Sequence, residues 1–133
     1  MSSEIIKYLL DTHAWIEYFI GSKEGKIVKN LINQKNVSTS VISIAELSDK
    51  YYKEGLVKEW EKRYHFIINK SNILPLSLNI ARKAGLSKLE LRKNDKSVGL
   101  ADSIIYETAK EYELIVVTGD PHFEKLKDVL FLS

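Results

Sequence analysis

The sequence predicts an α/β fold, a parallel sheet with helices on both faces. Three observations point there. Segments of strand and helix character alternate from end to end of the chain. Leu114 to Val117 is a short apolar run rich in β-branched residues, and it follows a helical segment and stops at Gly119 and Pro121. That combination marks an interior strand of a parallel sheet. Asp11 and Asp120 each come just after a strand segment, where ligands gather in open parallel sheets.

The elements follow in order. Ile5 to Leu10 reads as a buried strand ending at Asp11. Asp11 or Thr12 caps a helix from Ala14 to Ile20. Gly21 and Gly25 break the chain before a helix from Lys26 to Gln34, with Ile27 and Leu31 inward and Val28 and Ile32 beside them. Val37 to Ser40 is a second strand, and the helix ISIAELSDKYYKEG runs to Gly55. Ser43 to Glu46 fits a capping box at its start. Leu56 to Asn69 is a helix with Trp60, Tyr64 and Ile67 or Ile68 on its apolar side.

Ile73 to Leu76 contains Pro75, which assigns that strand to a sheet edge. Ser77 caps a helix from Leu78 to Gly85, and a charged loop, KLELRKNDKS, leads to Ser97 as the cap of the next helix. In that helix Ala101, Ile104, Ile105, Thr108, Ala109 and Tyr112 form one stripe at helical spacing. Pro121 to Lys127 is a turn, and Val129 to Leu132 a last strand.

No linker, repeat or low-complexity segment divides the 133 residues, so one domain over 1–133 is expected. With no Cys, disulfides and thiolate metal sites are excluded. The absence of Cys agrees with a cytoplasmic protein, and no signal peptide or membrane span is evident. The net charge of +2 is too small to imply a nucleic-acid partner.

The acids carry the functional reading. Asp11, Glu46 and Asp120 follow strands or open the next helix, and Asp102 lies in the first turn of the helix leading into the Leu114 strand. In a parallel sheet all four converge at one edge. Two carboxylates 4 Å apart repel by about 4 kcal/mol at an effective dielectric of 20. A cluster of them calls for a hard divalent cation, Mg²⁺ or Mn²⁺. Such a site suits hydrolysis of a phosphodiester. Singly, each acid has a plainer reading: Asp11 as a helix cap, Glu46 as half of the capping box, Asp102 as a charge favoured by the helix dipole. Thr118 precedes Asp120 by two residues and offers a hydroxyl to the site.

Four segments, LLDTHAWIEYF (Leu9 to Phe19), SVISIAEL (Ser40 to Leu47), LADSIIYETA (Leu100 to Ala109) and VVTGDPHF (Val116 to Phe123), resemble PIN-domain ribonucleases, most closely the VapC toxins of VapBC toxin–antitoxin modules. The resemblance implies a three-layer α/β/α sandwich and an acidic quartet of Asp11, Glu46, Asp102 and Asp120. It implies Mg²⁺ or Mn²⁺ on Asp11, Asp102 and Asp120, with Glu46 acting on the attacking water and Thr118 in support. It further implies endonucleolytic cleavage of RNA, a homodimer and a VapB-like antitoxin. Trp15, Tyr18, Phe19, Tyr51 and Tyr52 offer apolar surface to such partners, with core packing as the plain alternative for Trp15 and Phe19.

Arg92, Lys93 and Lys96 sit in a basic loop before the Asp102 helix and are candidate RNA phosphate contacts. His13 and His122 each stand two residues after an acid and border the pocket, while His65 reads as a helix-surface residue. Two other functional classes fit the sequence less well. One is a catalytically weak PIN-like module that binds RNA or antitoxin, against which the intact quartet counts. The other is phosphoryl chemistry on a receiver-like fold, which lacks its phosphate loop and late Lys here.

Overall fold

The computed structural model describes residues 5–133. The order of elements is β1 (Tyr8–Leu10), α1 (Thr12–Ile20), α2 (Lys23–Asn33), β2 (Val37–Ser40), α3 (Val41–Lys53), α4 (Val57–Lys70), β3 (Asn72–Leu74), α5 (Leu78–Leu91), α6 (Leu100–Tyr112), β4 (Ile115–Thr118), a 3-10 turn (Pro121–Phe123) and β5 (Val129–Phe131). The strands form one parallel sheet in the order β3-β2-β1-β4-β5. β3 is an edge strand, as expected, but it stops at Leu74, before Pro75.

Side-chain alternation along the central strands decides the layers. In register, Leu9 pairs with Val116 and Leu10 with Val117. Leu9 and Val116 pack with Ile105, Ala109 and Phe123 on the α6 side. Leu10 and Val117 pack with Trp15, Val28, Leu31, Leu47, Trp60 and Ile67 on the side of α1 to α4. The result is the expected three-layer α/β/α sandwich. From β1 the chain steps to β2 and β3 in one direction, and β4 and β5 lie in the other. The order therefore reverses between β1 and β4, and that crevice is where an open parallel sheet accepts ligands.

The α1 layer is fixed by a directed chain of hydrogen bonds. Trp15 Nε1 donates to Thr39 Oγ1 at 3.0 Å, Thr39 is 2.9 Å from Ser71 Oγ, and Ser71 donates to the Ile67 carbonyl at 2.8 Å. Because the Ser71 proton is used on Ile67, Thr39 is the donor to Ser71. Trp15 is thus a core residue tying α1 to β2 and α4. Phe19, Tyr18 and Tyr51 are partly buried against the same core, whereas Tyr52 is 52% exposed.

Several local expectations are corrected. α5 runs through Gly85 to Leu91 because Ile80, Ala84, Ser87 and Leu91 form one buried face; Gly85 lies on the exposed side. α2 starts at Lys23, capped by Ser22, and buries Val28, Leu31 and Ile32 while Ile27 is 41% exposed. Gly25 sets that rotation: a Cβ there would lie 2.1 Å from the Glu17 carbonyl oxygen in α1. In α4 it is Ile67, not Ile68 or Tyr64, that enters the core. Ile5 and Ile6 lie outside β1 and are exposed.

Gly25→Ala is expected to destabilise the protein by about 1–3 kcal/mol through overpacking of α2 on α1. Urea unfolding should show a lower midpoint at an unchanged slope.

Candidate metal and catalytic site

Asp11 follows β1, and its backbone N–H continues the ladder to the Val117 carbonyl at 3.3 Å. Its Oδ1 accepts from the Ala14 N–H at 2.8 Å and caps α1. The capping role is therefore real, and Asp11 is buried as well, at 6% exposure. Burial pushes its carboxyl up to about 7. Hydrogen bonds from Thr118 and Ala14 oppose that rise, and the charges of Asp120 and Glu46 add to it.

Thr118 ends β4 and is fully buried. Its Oγ1 accepts from the Asp120 N–H at 2.9 Å. One hydroxyl thus serves both Asp11 and the Asp120 backbone. Between them, the Gly119 N–H donates to His13 Nδ1 at 3.2 Å. A Cβ on Gly119 would lie 2.3 Å from His13 Cε1, so only glycine lets the loop close on that ring. His13 accepts at Nδ1 and packs the loop.

Asp120 caps the 3-10 turn, its Oδ1 accepting from the His122 N–H at 2.9 Å. The turn folds the His122 ring back over the acids. His122 Nδ1 lies 3.0 Å from Asp102 Oδ2 and 3.1 Å from Asp120 Oδ1. Asp102 is in the first turn of α6, where its Oδ2 accepts from the Gly99 N–H at 3.1 Å. Gly99, not Ser97, is the N-cap of α6. Ser97 instead bonds Asp95 and His122.

Glu46 is exposed on α3 and accepts from the Thr12 hydroxyl at the start of α1. The proposed capping box is absent: α3 begins at Val41 with Ser40 as its cap, and Ser43 is buried inside the helix. Glu46 is thereby free to face Asp11, whose carboxyl feels its charge.

The four acids lie in a row at the switch point. Glu46 joins Asp11 through Thr12, Asp11 joins Asp120 through Thr118, and Asp120 joins Asp102 through His122. Asp102, Asp120 and His122 can each offer a ligand atom, all within 4.8 Å of one another. Asp11 lies outside that closest group. The donor set, mainly carboxylate oxygen with one imidazole nitrogen, fits a hard or borderline divalent cation. The burial of Asp11 fits it too, because a nearby cation would let that carboxylate ionise.

The basic residues lie further out. Arg92 caps the end of α5 and its Nε donates to the Val98 carbonyl at 2.7 Å. Lys93 pairs with Glu90 at 3.0 Å, and Lys96 is exposed. His65 is on the surface of α4, 3.6 Å from Glu61. His122 is the site residue that spacing alone undervalued. Its one sequence signal was the step of two from Asp120 across Pro121.

The PIN domain family model matches residues 8–129, and the chain belongs to the PIN domain family. Solved structures of similar fold include toxin–antitoxin proteins. A toxin–antitoxin complex from Klebsiella pneumoniae is similar at 25% identity and a TM-score of 0.71, over 96% of this chain and 98% of that one. DNA-bound VapBC from Salmonella typhimurium is similar at 22% identity and a TM-score of 0.78, over 97% of this chain and 100% of that one. A sarcin–ricin loop cleaving toxin from Mycobacterium tuberculosis shares the fold at 11% identity and a TM-score of 0.67, over 89% and 92% of the two chains. No curated protein sequence matches. Among the described residues, no helix is long and apolar enough to cross a membrane.

The raised Asp11 carboxyl gives a signed pH dependence. A carboxyl at about 7 when folded and about 3.8 when unfolded favours the fold most below pH 4. That contribution, on the order of 4 kcal/mol, is lost as pH rises from 4 through 7. Metal-free protein should therefore gain stability at pH 8 on Asp11→Asn, and the gain should vanish near pH 4. Thermal melts in EDTA across that range check this.

Proposed function

We propose that this chain is a metal-dependent endoribonuclease, the toxin of a type II toxin–antitoxin pair, acting as a single nuclease domain over residues 1–133. The observation that carries the reading is the gathering of Asp11, Glu46, Asp102 and Asp120 at the switch point, with one carboxylate buried. Four acids placed there are costly to keep ionised without a cation. Solved structures of similar fold include a sarcin–ricin loop cleaving toxin, a toxin–antitoxin complex and a DNA-bound VapBC.

In this reading Asp11, Asp102 and Asp120 hold Mg²⁺ or Mn²⁺. When bound, the cation supplies charge neutralisation at the scissile phosphate and lowers the pKa of a bound water. The chain supplies position and proton transfer. Thr118 keeps Asp11 and Asp120 in one frame. Glu46, oriented by Thr12, takes the proton of the attacking water as the new phosphorus–oxygen bond forms and the bond to the leaving sugar oxygen breaks, that oxygen taking its proton from solvent. Arg92, Lys93 and Lys96 contact RNA phosphates beside the site. A VapB-like antitoxin and a second copy of the chain cover apolar surface that includes Tyr52 and the half-buried Tyr18, Phe19 and Tyr51. The cytoplasm, where RNA is available, is the proposed location.

Purified protein incubated with RNA should cleave it with Mn²⁺ or Mg²⁺ and not with EDTA. Asp11→Asn or Asp102→Asn, purified identically, should abolish cleavage while circular dichroism is unchanged. Glu46→Gln should slow it about 100-fold. Metal-independent cleavage, or cleavage equal in the variants, would sink the assignment.

The basic loop has its own test. Removing one phosphate contact by Lys93→Ala or Lys96→Ala should flatten the slope of log affinity against log salt by about 0.7 for single-stranded RNA. An unchanged slope would remove those residues from the RNA interface.

A further inference from the structure

The imidazole of His122 has no part in the reading above, yet it sits closest to two of the acids. Its proton can be located by following hydrogen bonds inward from the surface. The Ser97 N–H and Ser97 Oγ both reach Asp95 Oδ1, the N–H at 3.0 Å. These bonds hold the Asp95 carboxyl below its ordinary range, so it acts only as an acceptor. The single hydroxyl proton of Ser97 is therefore spent on Asp95. Ser97 Oγ is also 2.8 Å from His122 Nε2, and with its proton committed it must accept there. Nε2 therefore donates to Ser97, and Nδ1 is the ring atom that faces the acids.

Nδ1 is an awkward atom as it stands. It has no solvent contact and no bond of hydrogen-bonding geometry. It nevertheless lies 3.0 Å and 3.1 Å from oxygens of Asp102 and Asp120. A cation shared by Nδ1 and the two carboxylate oxygens would give all three atoms a common partner. Neighbouring ligands of an octahedral ion with bonds of about 2.1 Å lie about 3.0 Å apart, which matches both separations. Imidazoles that bind metals through one nitrogen characteristically anchor the other to a carboxylate, a carbonyl or water, and the Asp95–Ser97 pair provides that anchor here.

We propose that His122 Nδ1 is a ligand of the divalent cation held by Asp102 and Asp120, with Asp95 and Ser97 fixing its tautomer, and that this nitrogen biases the site toward Mn²⁺ over Mg²⁺. The inference rests on the metal-dependent reading and specifies its donor set. A nitrogen donor favours first-row transition ions relative to Mg²⁺, which prefers oxygen and retains its waters.

The test is pulsed electron paramagnetic resonance of the Mn²⁺-loaded protein, with Mn²⁺ affinity measured by titration and Mg²⁺ by competition. Wild type should show nitrogen coupling to Mn²⁺, and histidine-specific ¹⁵N labelling should change the coupling pattern. His122→Gln should abolish the coupling, weaken Mn²⁺ at least about 10-fold and reduce the Mn²⁺ preference. Ser97→Ala should keep the coupling and weaken Mn²⁺ about 10-fold; no change in affinity would overturn the tautomer relay. Should His122→Gln fail to fold, the labelled wild type still decides. Tight Mn²⁺ binding that needs Asp102 but shows no histidine coupling would overturn the ligand assignment and leave the metal-dependent reading standing. No Mn²⁺ or Mg²⁺ binding at all would overturn both.

Discussion

A carboxylate sits at the end of the central strand, and the rest of the site depends on how the sheet places it there. β1 and β4 pair in parallel with Leu10 opposite Val117, which sets Asp11 beside Thr118. That register is held by apolar packing on both faces. A slip of one residue would turn Leu9 and Val116 away from α6, and Leu10 and Val117 away from the Trp15 cluster. The position of the acid is therefore enforced chiefly by hydrophobic burial along the two strands. This is how a charge that the interior disfavours can be kept in it.

From that point the polar groups are arranged so that each acid is restrained by a neighbour. Asp11 is held by the first turn of α1, Asp102 by the Gly99 N–H at the start of α6, and Asp120 by the turn that follows it. Helix starts favour negative charge, so α1 and α6 offset part of the mutual repulsion. Hydroxyls and an imidazole bridge the gaps between acids: Thr12, Thr118 and His122. The two glycines with the closest approaches serve the same geometry. Gly25 lets α2 sit tightly on α1, and Gly119 lets the loop after β4 close on His13.

Membership of the PIN domain family follows from the match over residues 8–129. The VapBC structure from Salmonella typhimurium keeps the fold at 22% identity. Such divergence is tolerated because a doubly wound sheet needs apolar side chains at alternating strand positions and on one helix stripe, and many residues meet that need.

The sequence by itself determined the layer order and the location of the acids. Alternating segments demanded crossovers, Pro75 pointed to an edge strand although it stands just beyond it, and the apolar run at Leu114 to Val117 demanded an interior one. The acids could be placed because they stand at element ends, which are one-dimensional features of a chain. The tertiary structure decided what depends on distant packing. Helical spacing allowed either Ile27 or Val28 to face inward, and contact with α1 at Gly25 chose Val28. It allowed α5 to stop at Gly85, and the face packed on α6 carried it to Leu91. Ser43 and Ser97 had the composition of helix caps, but Ser40 and Gly99 hold those places because the strand and loop before them deliver the backbone there. His122 was the least legible residue. Its significance lies in a turn that brings Nδ1 to carboxylates on two different elements, and no spacing along the chain records which ring atom meets which oxygen.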